Sequence, residues 1–175
     1  MIIQTKTMNN EKPAPIILGV EGGESISMVG DTYRILITGH QTNGEFATID
    51  MLIPPGGGPG PHAHPDIYES FYVIEGEIEV KLEAGTYTAK KGSFIVIPKG
   101  GVVHSFKNQS DKVAHILCAV VPAGLEEMFM ELGTRVEANT FLPPPHLAPD
   151  TLKKFQATAE KYGQQLFPPD YLDKK

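Results

Sequence analysis

The sequence predicts an all-β protein, a barrel or sandwich of short antiparallel strands, with one or two helices appended at the C-terminal end. Two observations carry this prediction. Short apolar runs recur along most of the chain with turn residues between them, at roughly the 8–12-residue spacing of sandwiches and barrels. The 18 glycines and 15 prolines are spread between those runs rather than pooled in one tract, as tight turns require.

A chain of 175 residues has the length of one domain with a terminal extension. Residues 1–15 are polar, contain two prolines and are interpreted as an N-terminal arm. The barrel is assigned to residues 16–122, where the apolar runs lie. Residues 123–175, in which the pattern changes, are assigned to a C-terminal helical extension.

Eight strands are expected within the barrel. The clearest covers 77–82, where Ile78, Val80 and Leu82 alternate with charged residues, as in an antiparallel sheet with one wet face. Residues 54–61, rich in Pro and Gly, form neither a helix nor a central strand. The expected strands are 33–38, 46–53, 70–74, 77–82, 86–89, 93–97, 102–106 and 113–121.

Two helices are expected after the barrel. Apolar residues recur at helical spacing from Leu125 to Leu132, and Gly133 is the expected end. The acidic residues of this helix are assigned to its solvent face; they are Glu126, Glu127 and Glu131. A last helix is expected to be capped by Asp150 or Thr151 and to end at Gly163.

The composition excludes several classes of protein. A net charge of −6 with both signs dispersed argues against nucleic acid or an anionic membrane as the main partner. No apolar stretch is long enough to span a bilayer, and the first residues lack the pattern of a signal peptide, so a cytoplasmic location is expected. The single cysteine, Cys118, lies in an apolar run and is interpreted as a buried small apolar residue.

Three of the six histidines stand out together with one glutamate. His62 and His64 are two residues apart, so both imidazoles point the same way on an extended segment. Glu69 follows the turn-prone pair 65–66, which lets it approach the histidines. His104 lies in an otherwise apolar strand, where an imidazole needs a partner. Taken singly, the pair could be two surface histidines, and His104 a core histidine.

Three imidazoles and one carboxylate form a donor set typical of a first-row divalent metal, with Fe, Mn, Ni or Zn as the candidates. Four protein ligands on an octahedral ion leave two positions for water, substrate or dioxygen. A purely structural zinc site would be closed and would usually contain cysteines. This set contains none.

The glycines and prolines around these residues resemble the two motifs of the cupin superfamily. Gly56-x5-His62-x-His64-x4-Glu69-x6-Gly76 is similar to the first motif at every position. Gly92-x5-Pro98-x-Gly100-x3-His104-x3-Asn108 is similar to the second, with one extra residue before the histidine. The resemblance implies a double-stranded β-helix, or jelly roll, with a metal ion held inside the barrel by His62, His64, Glu69 and His104.

The implied barrel would enclose an apolar pocket near the ion. Inward-pointing residues expected to line it as substrate contacts are Met51, Ile53, Phe71 and Phe106. For each of them, a position in the plain core is the alternative.

Within the superfamily, the chain resembles single-domain quercetin-dioxygenase-like cupins. The resemblance implies metal-dependent oxygenation of a small flavonol- or enol-like substrate, with Glu69 acting both as a ligand and as the catalytic base. Two alternatives stay open: a cupin that binds a small ligand without turning it over, and a metal-dependent isomerase or lyase. A homodimer is expected, because cupins commonly dimerise.

Overall fold

Two antiparallel β-sheets share one apolar core in the computed structural model, whose described residues are 14–145 and 148–173. The first ten strands are β1 (Glu24–Met28), β2 (Asp31–Ile37), β3 (Ala47–Ile53), β4 (His62–Ala63), β5 (Tyr68–Glu75), β6 (Glu77–Leu82), β7 (Gly85–Lys90), β8 (Phe94–Ile97), β9 (His104–Lys107) and β10 (Ala114–Val121). Two more follow in the C-terminal part, β11 (Thr134–Val136) and β12 (Gln165–Leu166).

The order of the strands confirms the predicted all-β jelly roll. One sheet runs β11-β1-β2-β3-β10-β5-β8 and the other runs β12-β4-β9-β6-β7. Most neighbours are distant in sequence, so the chain crosses repeatedly between the sheets. The strands expected from alternation appear within two residues of their predicted ends. The sequence interpretation placed no strand at β1, β4, β11 or β12.

Strict alternation in the central strands builds the core. In β3, Ile49, Met51 and Ile53 are buried while the residues between them are partly exposed. Its neighbour β10 buries Ile116, and it also buries Cys118, which confirms the burial predicted for that residue. Each fully buried side chain of this size stabilises the fold by about 1.5–3 kcal/mol relative to an exposed one.

The two helices expected after the barrel are present, as α1 (Leu125–Leu132) and α2 (Pro149–Lys161). A short 3-10 helix follows at Tyr171–Asp173. The predicted cap of α2 at Asp150 or Thr151 is wrong, because the helix starts at Pro149 after Ala148. Proline suits that first position, since its φ is preset and its missing N–H would have no partner there.

Glu126 corrects the assignment of the acidic residues of α1 to solvent. Its side chain is buried, and it accepts hydrogen bonds from the backbone N–H of Gly39 at 2.6 Å and of Gly124 at 2.8 Å. Glu126 therefore holds the start of α1 against the loop that joins β2 to β3. Glu127 is exposed, and Glu131 pairs at the surface with Lys161.

The C-terminal extension contributes a strand to each sheet. β11 pairs with β1, and β12 pairs with β4. Residues 123–173 thus extend both sheets beyond the barrel segment in which the apolar runs lie. Most of the proposed arm, residues 1–15, lies outside the described residues. Within the part of the chain that the structure describes, no helix is long and apolar enough to cross a membrane.

Candidate metal centre and cavity

His62, His64, Glu69 and His104 meet inside the barrel. His62 begins β4 and pairs directly with His104, which begins β9. His64 lies one residue beyond β4, and Glu69 reaches the same point from β5 in the other sheet. All four are buried, and one ligand atom from each lies within 4.8 Å of the others.

The backbone selects the nitrogen that two of these histidines present. The Nδ1 of His62 lies 2.9 Å from the carbonyl oxygen of Gly60, and the Nδ1 of His104 lies 2.9 Å from that of Val102. Contact of Nδ1 with a carbonyl directs Nε2 towards the centre of the cluster, the orientation typical of metal-ligating histidine. The extra residue before His104 has not displaced the ring, since Nε2 of His104 lies 3.0 Å from Oε2 of Glu69.

His64 is the exception in this cluster. Its side chain is fully buried, yet neither ring nitrogen has a hydrogen-bond partner among the described residues. Its Nε2 lies 3.5 Å from Oε2 of Glu69 without forming a hydrogen bond. A buried polar atom without a partner costs about 1–3 kcal/mol, so the position of His64 calls for a ligand.

The electrostatics of the cluster keep its lone pairs available. Burial, with a further contribution from His104, lowers the pKa of His62 to about 3, and burial also lowers the pKa of His64. Burial alone would raise the pKa of Glu69, but the hydrogen bond with His104 and the nearby histidines lower it to about 2. Neutral imidazoles at His62 and His64 beside an ionised carboxylate are the protonation states in which metal ligands bind.

Cys118 touches the same carboxylate from β10. Its Sγ lies 3.6 Å from Oε1 of Glu69, close enough for the thiol to donate a weak hydrogen bond. Burial and the charge of Glu69 raise the pKa of the thiol, which keeps it protonated. Cys118 is thus a buried donor that orients Glu69 rather than a reactive nucleophile.

The residues present fit a divalent metal ion. Three nitrogen donors and a carboxylate converge on one buried point, and at His64 the described residues offer no other partner. No lysine or arginine of the described residues is ion-paired with Glu69. Such a cluster could hold a first-row ion, whose charge would balance the buried carboxylate.

A cavity of about 490 Å³ opens beside the cluster, within the size range of small-molecule sites. Its polar lining includes His62 and Glu69. Most of the remaining wall is apolar, and it includes Met28, Met51, Phe106, Leu125, Met128 and Phe129.

Two of the four predicted substrate contacts lie on the cavity wall and two do not. Met51 and Phe106 line it, whereas Ile53 and Phe71 are packed in the core behind it. Phe71 contacts Phe106 edge to face, with ring centroids 5.3 Å apart. Phe71 therefore supports a lining residue from behind and does not itself face the cavity.

Asp31 and Tyr33 also line the cavity, and the sequence interpretation did not single them out. Both lie on β2 and are buried. A signal was present: Asp31, Tyr33 and Ile35 alternate on one strand, so a carboxyl group shares the inward face with two core residues. An aspartate directly after Gly30 resembles a turn residue, and this hides the alternation.

The C-terminal segment forms the outer wall of the cavity. Its lining residues come from α2 and from the chain around β12; they are Leu152, Phe155, Gln156, Gln164, Leu166, Phe167, Pro168 and Pro169. β12 also binds the strand of the histidines, since Leu166 is opposite His62 and Gln165 is opposite Ala63. The backbone N–H of Phe167 donates to the carbonyl of Pro61 at 3.0 Å. The extension thus closes the cavity and pairs with the strand that carries His62.

Comparison with known proteins identifies the family of the central segment. Residues 49–120 match the family model of the cupin domain. The chain is 29% identical over 118 residues to quercetin 2,3-dioxygenase of Aspergillus japonicus, an alignment that covers 63% of the chain and 33% of the relative. It is 35% identical over 114 residues to a germin-like protein, subfamily 2 member 2, of Arabidopsis thaliana, covering 62% and 48%. The chain thus spans a third to a half of the length of these relatives.

Solved structures show the same fold. A sugar phosphate isomerase of the cupin superfamily from Silicibacter pomeroyi superposes with a TM-score of 0.56 at 20% identity, covering 62% of this chain and 77% of the other. At that identity the likeness concerns the fold. The names of the relatives and of that structure denote different activities, and one fold can host several reactions.

Proposed function

We propose that this chain, a cupin-superfamily protein that resembles quercetin-dioxygenase cupins, is a metal-dependent dioxygenase of a small flavonol- or enol-like substrate. The observation that carries the proposal is the buried cluster of His62, His64, Glu69 and His104 at one end of an apolar cavity. The apolar wall suits an aromatic ring system, and the cluster suits the oxygen of its enol or phenol.

We propose His62, His64, Glu69 and His104 as the ligands of one Fe, Mn, Ni or Zn ion. Such an ion, when bound, would supply a Lewis acid for the substrate oxygen and, if redox-active, electrons for dioxygen. Apolar wall residues such as Met51 and Phe106 exclude water and position the rings of the substrate.

Glu69 is proposed to take the proton of the substrate hydroxyl. The carboxylate is ionised, since its pKa is lowered to about 2 by the surrounding histidines against the effect of burial. An ionised carboxylate within reach of the substrate hydroxyl is the form in which a general base can take a proton.

Metal content tests the site. Elemental analysis of the protein made without added metal is expected to find about one Mn, Fe, Ni or Zn ion per chain. The double variant His62→Ala with His104→Ala should lose it, because two nitrogen donors are removed. His40→Ala is the matched control, since His40 is exposed. Unchanged metal content in the double variant would show that the ion binds elsewhere.

Oxygen consumption separates the proposed reaction from its alternatives. Uptake of dioxygen on addition of a flavonol or an enolisable diketone, lost in Glu69→Gln with metal retained, supports the dioxygenase. A flat oxygen trace together with thermal stabilisation by the same compounds would favour a binding protein. Loss of substrate without oxygen uptake would favour an isomerase or lyase.

We also propose that two copies of the chain form a homodimer through the outer face of β5, β8 and β10. Large side chains on this face are unusually exposed: Tyr68, Tyr72, Phe94, Val96 and Val121. They are contiguous, because Tyr72 is opposite Phe94 and Val121 is opposite Tyr68. An apolar patch on a sheet surface is typical of a protein interface, and β8 is the edge of its sheet.

A further inference from the structure

A second polar feature of the cavity lies on β2, apart from the four proposed ligands. The hydroxyl of Tyr33 donates to Oδ2 of Asp31 at 3.1 Å, and the backbone N–H of Gly58 donates to Oδ1 at 3.2 Å. Asp31 is only 2% exposed and Tyr33 only 4% exposed. Both residues nevertheless line the same cavity as His62 and Glu69.

Asp31 is a buried carboxyl group that has no cationic partner among the described residues. In the part of the chain that the structure describes, no lysine, arginine or histidine forms an ion pair with it. Burial raises the pKa of Asp31 to about 7 in spite of its two hydrogen bonds. A carboxylate offers about four acceptor positions, so two donors leave capacity for a third partner.

Part of the role of Asp31 is structural. The glycine loop that leads to His62 lies directly against the carboxyl group, and a Cβ at Gly57 would collide with Oδ1. The N–H of Gly58 is bound by the same oxygen. A neutral acceptor such as asparagine could anchor this loop, so anchoring alone does not explain a buried acid on a cavity wall.

The position of the pair points to a ligand. The wall around the pair is otherwise mostly apolar and includes Met51, Phe106 and Phe129. In small-molecule sites, a few polar groups on such a wall fix the orientation of the ligand. Tyr33 is itself held by Phe129, whose ring lies 5.0 Å away edge to face. Its hydroxyl donates to Asp31 and thereby orients the carboxyl group within the cavity.

We propose that Asp31 accepts a hydrogen bond from a second hydroxyl of the substrate, one other than the oxygen proposed to bind at the histidine–glutamate cluster. Tyr33 is a positioning residue that keeps the Asp31 carboxyl oriented. Asp31 is thereby a specificity-determining residue that favours substrates with a second hydroxyl over those with a single enolic oxygen. This inference rests on the proposed function. It adds that Asp31 makes the protein prefer substrates with a second hydroxyl.

The test compares two flavonols that differ in their remote hydroxyls. Quercetin carries hydroxyls on the rings away from the reacting one, and 3-hydroxyflavone carries none there. Binding to the metal-loaded protein is measured without dioxygen by the change in ligand absorbance. Asp31→Asn and Tyr33→Phe are expected to weaken quercetin binding by about tenfold, the scale of one hydrogen bond to a charged group, and 3-hydroxyflavone by less than about twofold.

The controls separate contact from anchoring. Metal content of Asp31→Asn should equal that of the wild type, because the ligands are untouched. Asp111→Asn, an exposed aspartate, should leave both affinities unchanged. If Asp31→Asn weakens both flavonols equally or loses metal, Asp31 only anchors the glycine loop and the inference is wrong. Unchanged quercetin affinity would also overturn it.

Failure of the proposed function gives a different pattern. If the wild type, with metal bound, binds neither flavonol, both the flavonol-like substrate class and the role of Asp31 are wrong. If the wild type binds and oxidises 3-hydroxyflavone, the proposed function holds. If Asp31→Asn then has the same ratio of quercetin to 3-hydroxyflavone affinity as the wild type, only the present inference fails.

Discussion

Two buried carboxyl groups on one cavity wall differ in their protonation. The pKa of Glu69 is lowered to about 2 by the surrounding histidines, which outweigh the effect of burial. Burial raises the pKa of Asp31 to about 7, against the hydrogen bonds that Tyr33 and Gly58 donate to it. Glu69 is therefore ionised, as its proposed roles as ligand and base require, while Asp31 exchanges its proton near neutrality. Carboxyl groups whose environments separate their pKa values are typical of functional sites.

Asp31 makes the stability of the protein depend on pH in a defined direction. Its pKa is raised from 3.8 to about 7 on folding, so the folded state binds the proton more tightly between those values. Tighter binding of this proton by the folded state adds to the free energy of unfolding. The added stability is fully present below about pH 4 and is lost as the pH rises through about 7. The Asp31→Asn variant lacks this titration. Relative to the wild type it should gain stability over this range, by at most about 4 kcal/mol.

Urea unfolding of the metal-free wild type and the metal-free variant, at several pH values from acid to neutral, measures this difference. Contributions of other groups cancel because the two proteins share them. Above about pH 8 the difference should be constant. A difference that is independent of pH throughout would mean that the Asp31 carboxyl is not shielded from water.

At the scale of single residues, the sequence alone identifies those candidate site residues whose spacing forms a motif. The proposed ligands lie in two motifs, and the structure brings His62, His64, Glu69 and His104 together. Asp31 belongs to no motif, and its role depends on burial that only the packed barrel creates. Cys118 was expected to be buried, but its contact with Glu69 depends on β10 lying beside β5.

Among the elements, α1 depends on one buried side chain. Glu126→Ala removes the acceptor of two backbone N–H groups, from Gly39 and Gly124, and leaves both donors unpaired. The free energy of unfolding should fall by about 2–4 kcal/mol, since each buried donor left without a partner costs about 1–3 kcal/mol. Chemical denaturation measures the change. Glu127→Ala, the exposed neighbour, is expected to stay within about 0.5 kcal/mol of the wild type; equal effects would contradict the assignment.

The C-terminal strand is expected to affect metal retention. Deletion of residues 164–175 removes β12, which pairs with the strand of His62, and opens the outer wall of the cavity. The truncated protein should lose its metal faster to a chelator than the full chain does. Deletion of 171–175 alone keeps β12 and serves as the control. If both truncated proteins retain metal as the full chain does, the pairing does not stabilise the site.

Element prediction succeeded where the strand carries its own pattern. β6 alternates over its whole length, and its predicted and observed bounds agree. β4 and β12 have two residues each, too few for a period, and they exist because each finds a neighbour in the fold. The start of α2 was misplaced because Asp150 is a good cap by itself, while Pro149 already occupies the first helical position.

For the molecule as a whole, the apolar face of β5, β8 and β10 predicts the oligomeric state. Sedimentation equilibrium should give twice the chain mass of 19.0 kDa. Phe94→Lys places a charge in the patch, where Phe94 is 65% exposed, and should shift the protein towards the single-chain mass. Tyr87→Lys, on a strand of the other sheet, should leave the mass unchanged. A wild type that sediments as a single chain would contradict the dimer.

The pairing of β12 with β4 has a consequence for how the protein is made. β4 lies between β9 and β12, so the strand that carries His62 has both neighbours only after Leu166 has been synthesised. A nascent chain still attached to the ribosome at residue 122 would have every proposed ligand but not the strand that braces them. The proposed ligands and the strand that pairs with the His62 strand are thus made more than forty residues apart, so β4 gains its second neighbour only after the rest of the barrel has been synthesised.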